Sequence, residues 1–115
     1  MEIRSKIWLE MYGEPVFGSG RRALLEGIEK YGSINRAARE INVSYRRALS
    51  YIVSMEERLG ISLVERRAGG RNGGGATLTI KAKEFLGKYK ELERGINKII
   101  DKRFSKVFRN EKGSL

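Results

Sequence analysis

Residues 32–79 read GSINRAAREINVSYRRALSYIVSMEERLGISLVERRAGGRNGGGATLT, and this stretch decides the fold of the chain. Its first part predicts two helices, one over Ile34–Ile41 and one over Tyr45–Leu59, with three residues between them. Ser33 and Ser44 each stand directly before a helix, where a serine hydroxyl can accept a hydrogen bond from a free amide of the first turn. Asn42 tolerates the left-handed backbone that a tight turn needs. The pattern is therefore helix, turn, helix.

Each of these two helices has one face suited to a core. Ala37 and Ala38 lie in the middle of the first helix, where small side chains let another helix cross closely. In the second helix the apolar residues recur at helical spacing, and Gly60 ends the pattern. The predicted core stripe of the second helix is Ala48, Leu49, Ile52, Met55 and Leu59.

A hairpin with a glycine-rich tip follows the second helix. Its outgoing strand is predicted over Ile61–Arg66 and its returning strand over Thr77–Thr79. The ten residues 67–76, RAGGRNGGGA, contain five glycines. A glycine loop that cradles a nucleotide would need GxxxxGKS or GxxxxGKT between a strand and a helix. This loop lacks both pairs and precedes a strand, so we reject a nucleotide site and keep a loop without function as the alternative.

Upstream of this stretch, apolar and polar side chains alternate, which predicts a strand over Met1–Tyr12 that packs well from Lys6 onward. A tight turn at Gly13-Glu14 should follow. Pro15–Phe17 is then expected to return as an edge strand, because proline cannot donate a hydrogen bond to a strand ladder.

The next helix is predicted over Gly20–Tyr31, with Ser19 as its cap and Gly32 as its stop. Its apolar residues share one face. Gly27 lies inside this helix, where glycine costs about 1 kcal/mol relative to alanine. We expect Gly27 to be tolerated there rather than needed for close packing.

Downstream, Thr79 should cap a long helix that runs from Ile80 to about Phe108. Five apolar residues in it are spaced 4, 3, 4 and 3 apart, which is typical of a coiled-coil seam: Phe85, Tyr89, Leu92, Ile96 and Ile99. Such a seam can also be ordinary core. A helix this long cannot bury its whole length against so small a domain, so we predict a homodimer. The chain then divides into a DNA-binding domain over residues 1–79, a dimerisation helix over 80–108 and a flexible tail over 109–115.

The composition narrows the classes of function. Cysteine and histidine are both absent, which excludes disulfide scaffolds, thiol catalysis and cysteine-ligated zinc and removes the commonest general base. The acids Glu56, Glu57, Glu91 and Glu93 are expected on exposed helix faces. We therefore expect no enzyme, no metal and no cofactor. The sequence shows neither a signal peptide nor a membrane span of about 18 apolar residues, which predicts a cytoplasmic protein with no membrane partner.

Charge points to a polyanionic partner. Lys and Arg number 24 against 14 Asp and Glu, which gives a formal net charge of +10. Together with the helix-turn-helix and the basic hairpin, this predicts a mainly α protein with a small β wing, a winged helix-turn-helix that binds double-stranded DNA. The N-terminal part of the second helix should enter the major groove, where arginine can bond a guanine edge. The residues expected there are Tyr45, Arg46, Arg47 and Ser50.

Other candidate DNA contacts lie outside the groove. Ser44 and its amide suit a phosphate at the start of the second helix. Arg66, Arg67 and Arg71 surround the glycine-rich backbone and should meet phosphate or the minor groove. Arg36, in the first helix of the pair, could touch backbone phosphate, and a solvated charge is an equal alternative.

The stretch 32–60, followed by LVERRAGGRNGGGATLT, resembles the N-terminal DNA-binding domain of the ModE family of molybdate-responsive regulators, whose architecture is similar to that of LysR-type regulators. The resemblance covers about Ile3 to Leu92, and its most specific pieces are Val43–Ala48 and Glu65–Leu78. It implies a winged-helix fold, DNA binding and dimerisation. Full-length members carry C-terminal molybdate-binding domains. This chain stops about where the dimerisation helix should, so we expect molybdate not to change its DNA affinity.

Three functions follow as hypotheses. The first is a dimeric, sequence-specific transcription regulator. The second is an architectural, chromatin-like protein that coats DNA with little base preference. The third is an adaptor whose long helix docks a separate sensor protein.

Overall fold

The computed structural model describes residues 1–67 and 75–109 of the chain. Arg71 and residues 110–115 of the predicted flexible tail lie outside the described residues. Four helices and four short strands follow one another in the described part. In chain order they are β1 (Leu9–Met11), β2 (Glu14–Phe17), α1 (Ser19–Tyr31), α2 (Ile34–Glu40), α3 (Tyr45–Leu59), β3 (Val64–Arg66), β4 (Ala76–Leu78) and α4 (Ile80–Phe108).

The N-terminal hairpin is shorter than the alternation predicted. Only Leu9–Met11 of the predicted strand pairs with β2, in antiparallel register with Met11 opposite Glu14. The turn is Tyr12-Gly13, with φ of 53° and 80°, and not Gly13-Glu14 as predicted. Two consecutive residues with positive φ make the two-residue turn whose twist matches the strands on either side.

Residues 1–8 lie along α4 instead of pairing in a sheet. The Tyr89 hydroxyl donates to the carbonyl of Ile7 at 2.7 Å, and Ser5 Oγ donates to Asn97 Oδ1 at 2.8 Å. Burial raises the pKa of the Tyr89 phenol, with a further contribution from the charge of Glu93. The strand prediction for residues 1–8 is wrong because the surface available to this segment is a helix, which offers no ladder.

Helix α1 begins one residue earlier than predicted. Its N-cap is Gly18, without a side-chain bond, so the prediction that Ser19 is the cap is wrong. At Gly18 a Cβ would lie 3.1 Å from the Cβ of Trp8, which favours glycine at this crossing. At Gly27 a Cβ would lie 2.9 Å from the Cβ of Ala37, so α1 and α2 touch through a glycine and an alanine. The expectation that Gly27 is merely tolerated is therefore also wrong.

Serine caps and left-handed residues define the helix-turn-helix as predicted. Ser33 Oγ accepts from the Arg36 amide at 3.1 Å, and Ser44 Oγ accepts from the Arg47 amide at 3.0 Å. Asn42 has a φ of 58° in the turn. Helix α2 ends at Glu40, one residue before the predicted end.

The wing is a two-stranded antiparallel sheet in which Val64 lies opposite Leu78. β3 begins at Val64, three residues later than predicted, and β4 is shifted by one residue, to Ala76–Leu78. Just before β3, Glu56 Oε2 accepts from the Leu63 amide at 2.7 Å, which corrects the expectation that this acid is merely solvated. Thr79 is the N-cap of α4, where its Oγ1 accepts from the Ala82 amide at 3.0 Å. The Ala76 amide donates to Gly32 at 2.9 Å and ties the wing to the α1–α2 junction.

One core joins the hairpin, the first three helices, the wing and the start of α4. At its centre the ring of Phe17 meets the rings of Phe85 and Tyr89 edge-on, each with centroids 4.9 Å apart. The buried residues of the core are Val16, Phe17, Leu24, Leu25, Ile28, Ile34, Ala37, Ala38, Ala48, Ile52, Met55, Leu63, Ala76, Leu78, Ala82, Leu86 and Tyr89.

Ion pairs fasten α1 to α4 beside this core. Arg22 bonds both Glu26 and Glu93, and the Nζ of Lys90 lies 3.0 Å from Glu26 Oε2. Glu93 is thus also a structural acid and not the free surface charge that the sequence predicted. The arrangement of helices and wing is a winged helix-turn-helix with a long C-terminal helix.

Candidate nucleic-acid interface

The first turn of α3 carries the residues predicted to enter the major groove. Arg46, Arg47 and Ser50 are exposed, and 44% of Tyr45 is exposed. Arg46 and Ser50 lie on the side of α3 opposite its buried residues, so the core holds the helix while this face stays open. The first turn has no acidic residue, so no carboxylate there offsets the partial positive charge at the N-terminus of the helix.

Arg46 and Arg47 have different surroundings. Arg47 donates from Nε to the hydroxyl of Tyr51 at 2.9 Å, one helical turn further on. The same ring carries the guanidinium of Arg21 from α1, with Cζ 4.8 Å from the ring centroid. Arg46 has no hydrogen bond or ion pair within residues 1–67 and 75–109.

Arg36 of α2 contacts two side chains of the domain itself. Its guanidinium carbon lies 4.7 Å from the centroid of the Tyr31 ring, and its Nε lies 3.6 Å from Glu40 Oε1. Half of the Arg36 side chain is exposed, so the two contacts orient the charge without hiding it.

The base of the wing adds two exposed arginines, Arg66 and Arg67. The Arg67 amide donates to Gly75 at 2.9 Å. The Arg67 guanidinium lies over Gly75, where a Cβ would stand 2.7 Å from Nη2. A side chain at position 75 would displace Arg67, so the place of the Arg67 guanidinium favours glycine at this position. The third predicted wing contact, Arg71, lies outside the described residues.

A family model for bacterial regulatory helix-turn-helix proteins of the lysR family matches residues 23–83, which include α2, α3 and both wing strands. The chain belongs to this lysR family.

Within the family, the similar sequences are ModE-like. The chain is 43% identical over 74 residues to the transcriptional regulator ModE of Haemophilus influenzae, a match that covers 64% of this chain and 29% of that protein. It is 37% identical over 83 residues to the molybdenum-pterin-binding protein MopB of Rhodobacter capsulatus, covering 72% and 31%. It is 35% identical over 89 residues to the DNA-binding transcriptional dual regulator ModE of Escherichia coli, covering 76% and 34%. The chain spans about a third of the length of these curated relatives.

Solved structures show the same fold. The crystal structure of the CbnR DBD–DNA complex superposes with a TM-score of 0.58 at 20% identity, covering 76% of this chain and 94% of that chain. ArgP from Mycobacterium tuberculosis superposes with a TM-score of 0.54 at 18% identity, covering 84% and 41%. At these identities the likeness establishes the winged-helix fold and nothing finer.

Two residues of this lysR-family domain are not among the residues predicted from sequence: Arg21 and Tyr51. Tyr51 stands four residues after Arg47, the spacing at which side chains on a helix meet. The spacing could have revealed the Arg47–Tyr51 pair. The contact of Arg21 with Tyr51 depends on how α1 packs against α3, so no pattern of neighbouring residues in the sequence indicates it.

The described residues contain no group of three or more acidic side chains placed to hold a metal ion. No helix among them is both long enough and apolar enough to cross a membrane.

The predicted seam of α4 divides into two parts. Phe85 and Tyr89 contact Phe17 of the same chain and belong to the core. Leu92 and Ile99 are 44% and 69% exposed, and with Ile96 they line an open apolar groove. The first part of the seam therefore packs within the core of this chain, and the second part is exposed and can contact another molecule.

Proposed function

We propose that this chain is a sequence-specific, double-stranded DNA-binding transcription regulator that acts as a homodimer. Helix α3 enters the major groove, and the wing lies on the backbone or the minor groove. The observation that carries the proposal is the Ser44-capped first turn of α3, which presents Arg46 and Arg47 to solvent from a helix anchored in the core.

Arginine suits both kinds of contact that this surface can make. Its planar guanidinium bonds the O6 and N7 acceptors of guanine in bidentate fashion, which discriminates against the other base pairs. At the wing the same group neutralises phosphate, which adds affinity without sequence information. The net charge of +10 supplies the long-range attraction.

The homodimer rests on the exposed half of α4. The groove formed by Leu92, Ile96 and Ile99 includes Gly95, which has open space where its Cβ would be. A second α4 can therefore approach closely at Gly95 while the apolar side chains interlock on either side. This interface is narrower than the predicted seam because Phe85 and Tyr89 are occupied within the chain.

Binding to selected and scrambled duplexes tests the proposal, once a preferred sequence has been selected from a random pool. Arg47→Ala should weaken binding to the selected duplex by about 1–3 kcal/mol and binding to the scrambled duplex much less, because it removes a base contact. Arg66→Ala should weaken both by similar factors and reduce the salt dependence by about one unit of slope.

Arg4→Ala is the control for lost charge, because Arg4 is exposed and its one ion pair within the described residues is with Glu2. It should leave the ratio of the two affinities unchanged. If the wild-type chain binds selected and scrambled duplexes equally, the protein coats DNA without reading it, and the architectural hypothesis replaces this one.

A further inference from the structure

Tyr51 occupies a position between two arginines on the DNA-facing side of the domain. Its hydroxyl accepts from Arg47 Nε at 2.9 Å, and its ring lies under the guanidinium of Arg21 at 4.8 Å. The ring is partly buried and packs against the core. The core therefore holds the ring of Tyr51 in place, and the Tyr51 hydroxyl is the acceptor that holds Arg47.

The hydrogen bond to Nε determines how Arg47 can meet DNA. Arginine has five N–H donors, and the one on Nε is taken by Tyr51, which leaves the four donors on the two Nη atoms for another partner. The Nη pair is the edge that makes a bidentate bond with guanine. Holding the side chain before binding reduces the rotamer freedom that is lost on complex formation.

The Arg21 side chain supports the same arrangement from α1. Its Nε is buried and has no hydrogen-bond partner within the described residues, so its contact with the Tyr51 ring accounts for the place of the guanidinium. The ring of Tyr51 is thus held by the core on one side and a cation on another, which restricts its rotation.

We propose that Tyr51 is a positioning residue for sequence recognition, which orients Arg47 for a bidentate contact with a guanine and so makes Arg47 the more selective of the two neighbouring arginines. Arg46, with no partner in the described part of the chain, is the adaptable contact. This inference rests on the proposed function, because it needs a base contact at Arg47.

Tyr51→Phe tests it, because the substitution removes the hydroxyl and keeps the ring under Arg21. The affinity for the selected duplex should fall about three- to tenfold, as expected for one net hydrogen bond, while the affinity for a scrambled duplex stays the same. Tyr12→Phe is the matched control, since Tyr12 is 98% exposed at the tip of the N-terminal hairpin. It should bind both duplexes like the wild-type chain.

A double-mutant cycle separates positioning from a general structural role. In an Arg47→Ala background, Tyr51→Phe should have no further effect on the selected duplex, because the side chain that it positions is gone. In the wild-type background, Tyr51→Phe should reduce sequence discrimination mainly at one base pair. This should be the same base pair at which Arg47→Ala loses discrimination.

Several outcomes would overturn the inference, and each has its own signature. If Tyr51→Phe weakens selected and scrambled duplexes equally, the hydroxyl touches the DNA backbone and does not orient Arg47. If Arg47→Ala lowers the selectivity and Tyr51→Phe does not, the proposed function stands and this inference fails alone. If the wild-type chain shows no selectivity, the proposed function fails and the inference falls with it.

Discussion

Arg46 and Arg47 are adjacent in the chain and carry the same charge, yet only Arg47 has its donors partly committed by Tyr51. Arg36 and Arg67 show the same principle on other elements, one against Tyr31 and the other over Gly75. A guanidinium is planar and is held well by a ring or by a flat stretch of backbone. At the scale of single residues, therefore, the arginines of the candidate interface differ in how far contacts within the chain restrict their side chains.

Gly27 allows a stability prediction at the same scale. Gly27→Ala should lower the free energy of unfolding by about 1–3 kcal/mol, because the new methyl would meet Ala37 Cβ at 2.9 Å and Ala37 Cα at 3.2 Å. Helix propensity alone predicts the opposite sign, a gain of about 1 kcal/mol. Urea unfolding monitored by circular dichroism measures the difference.

Gly87→Ala is the matched control, since Gly87 is in a helix and has open space where its Cβ would be. That variant should be stabilised or unchanged. Should Gly27→Ala prove as stable as Gly87→Ala, the close approach of α1 to α2 is not a constraint on this fold.

At the scale of elements, the ion pairs between α1 and α4 add a pH dependence to stability. Burial by itself would raise the pKa of Glu26, but hydrogen bonds and charge from Lys90 and Arg22 outweigh it and lower the pKa below its ordinary value of 4.5. A carboxyl whose pKa is depressed in the folded state stabilises that state above its unfolded pKa. This contribution is lost as the pH falls through the folded value.

Glu26→Gln should therefore be less stable than the wild-type chain at about pH 7 and approach it at about pH 3. The size of the difference is modest because these side chains are partly exposed. Urea unfolding at the two pH values measures it, and Glu29→Gln, an exposed acid on the same helix, is the control. A difference for Glu26→Gln that does not shrink in acid would show that Glu26 does not couple α1 to α4 through its charge.

At the scale of the whole molecule, the chain measures 62 × 29 × 22 Å, and its length comes from α4. The first turns of α4 are buried by the winged domain, and residues 1–8 cover part of the next turns. The groove along Leu92, Ile96 and Ile99 stays open. An exposed apolar groove on a helix that projects from its domain is where a second copy can bury further area.

Light scattering after gel filtration should give about twice the 13.1 kDa chain mass for the wild-type protein. Ile99→Glu should give the monomer mass, because it places a charge in the apolar groove. Val53→Glu, a matched change of an exposed apolar residue on α3, should stay dimeric. A wild-type monomer at micromolar concentration, or a dimer that survives Ile99→Glu, would contradict this interface.

Local chemistry made much of the fold predictable from sequence. Ser33, Ser44 and Thr79 cap their helices through bonds to amides three residues away, and Asn42 takes the left-handed turn by its own conformational preference. Because these interactions lie within a few residues, the sequence contains them in full. It also places Arg46 and Arg47 on the open face of α3, since helical spacing separates them from the buried stripe.

Contacts between distant segments were decided only in the tertiary structure. Periodicity marks an apolar face but does not say what covers it, so the seam of α4 gave no sign that Phe85 and Tyr89 meet Phe17 while Ile99 stays exposed. In the same way residues 1–8 lie along α4, and Gly27 meets Ala37. Each of these contacts depends on the relative placement of whole elements, which follows from packing the complete core and from no single stretch of the chain.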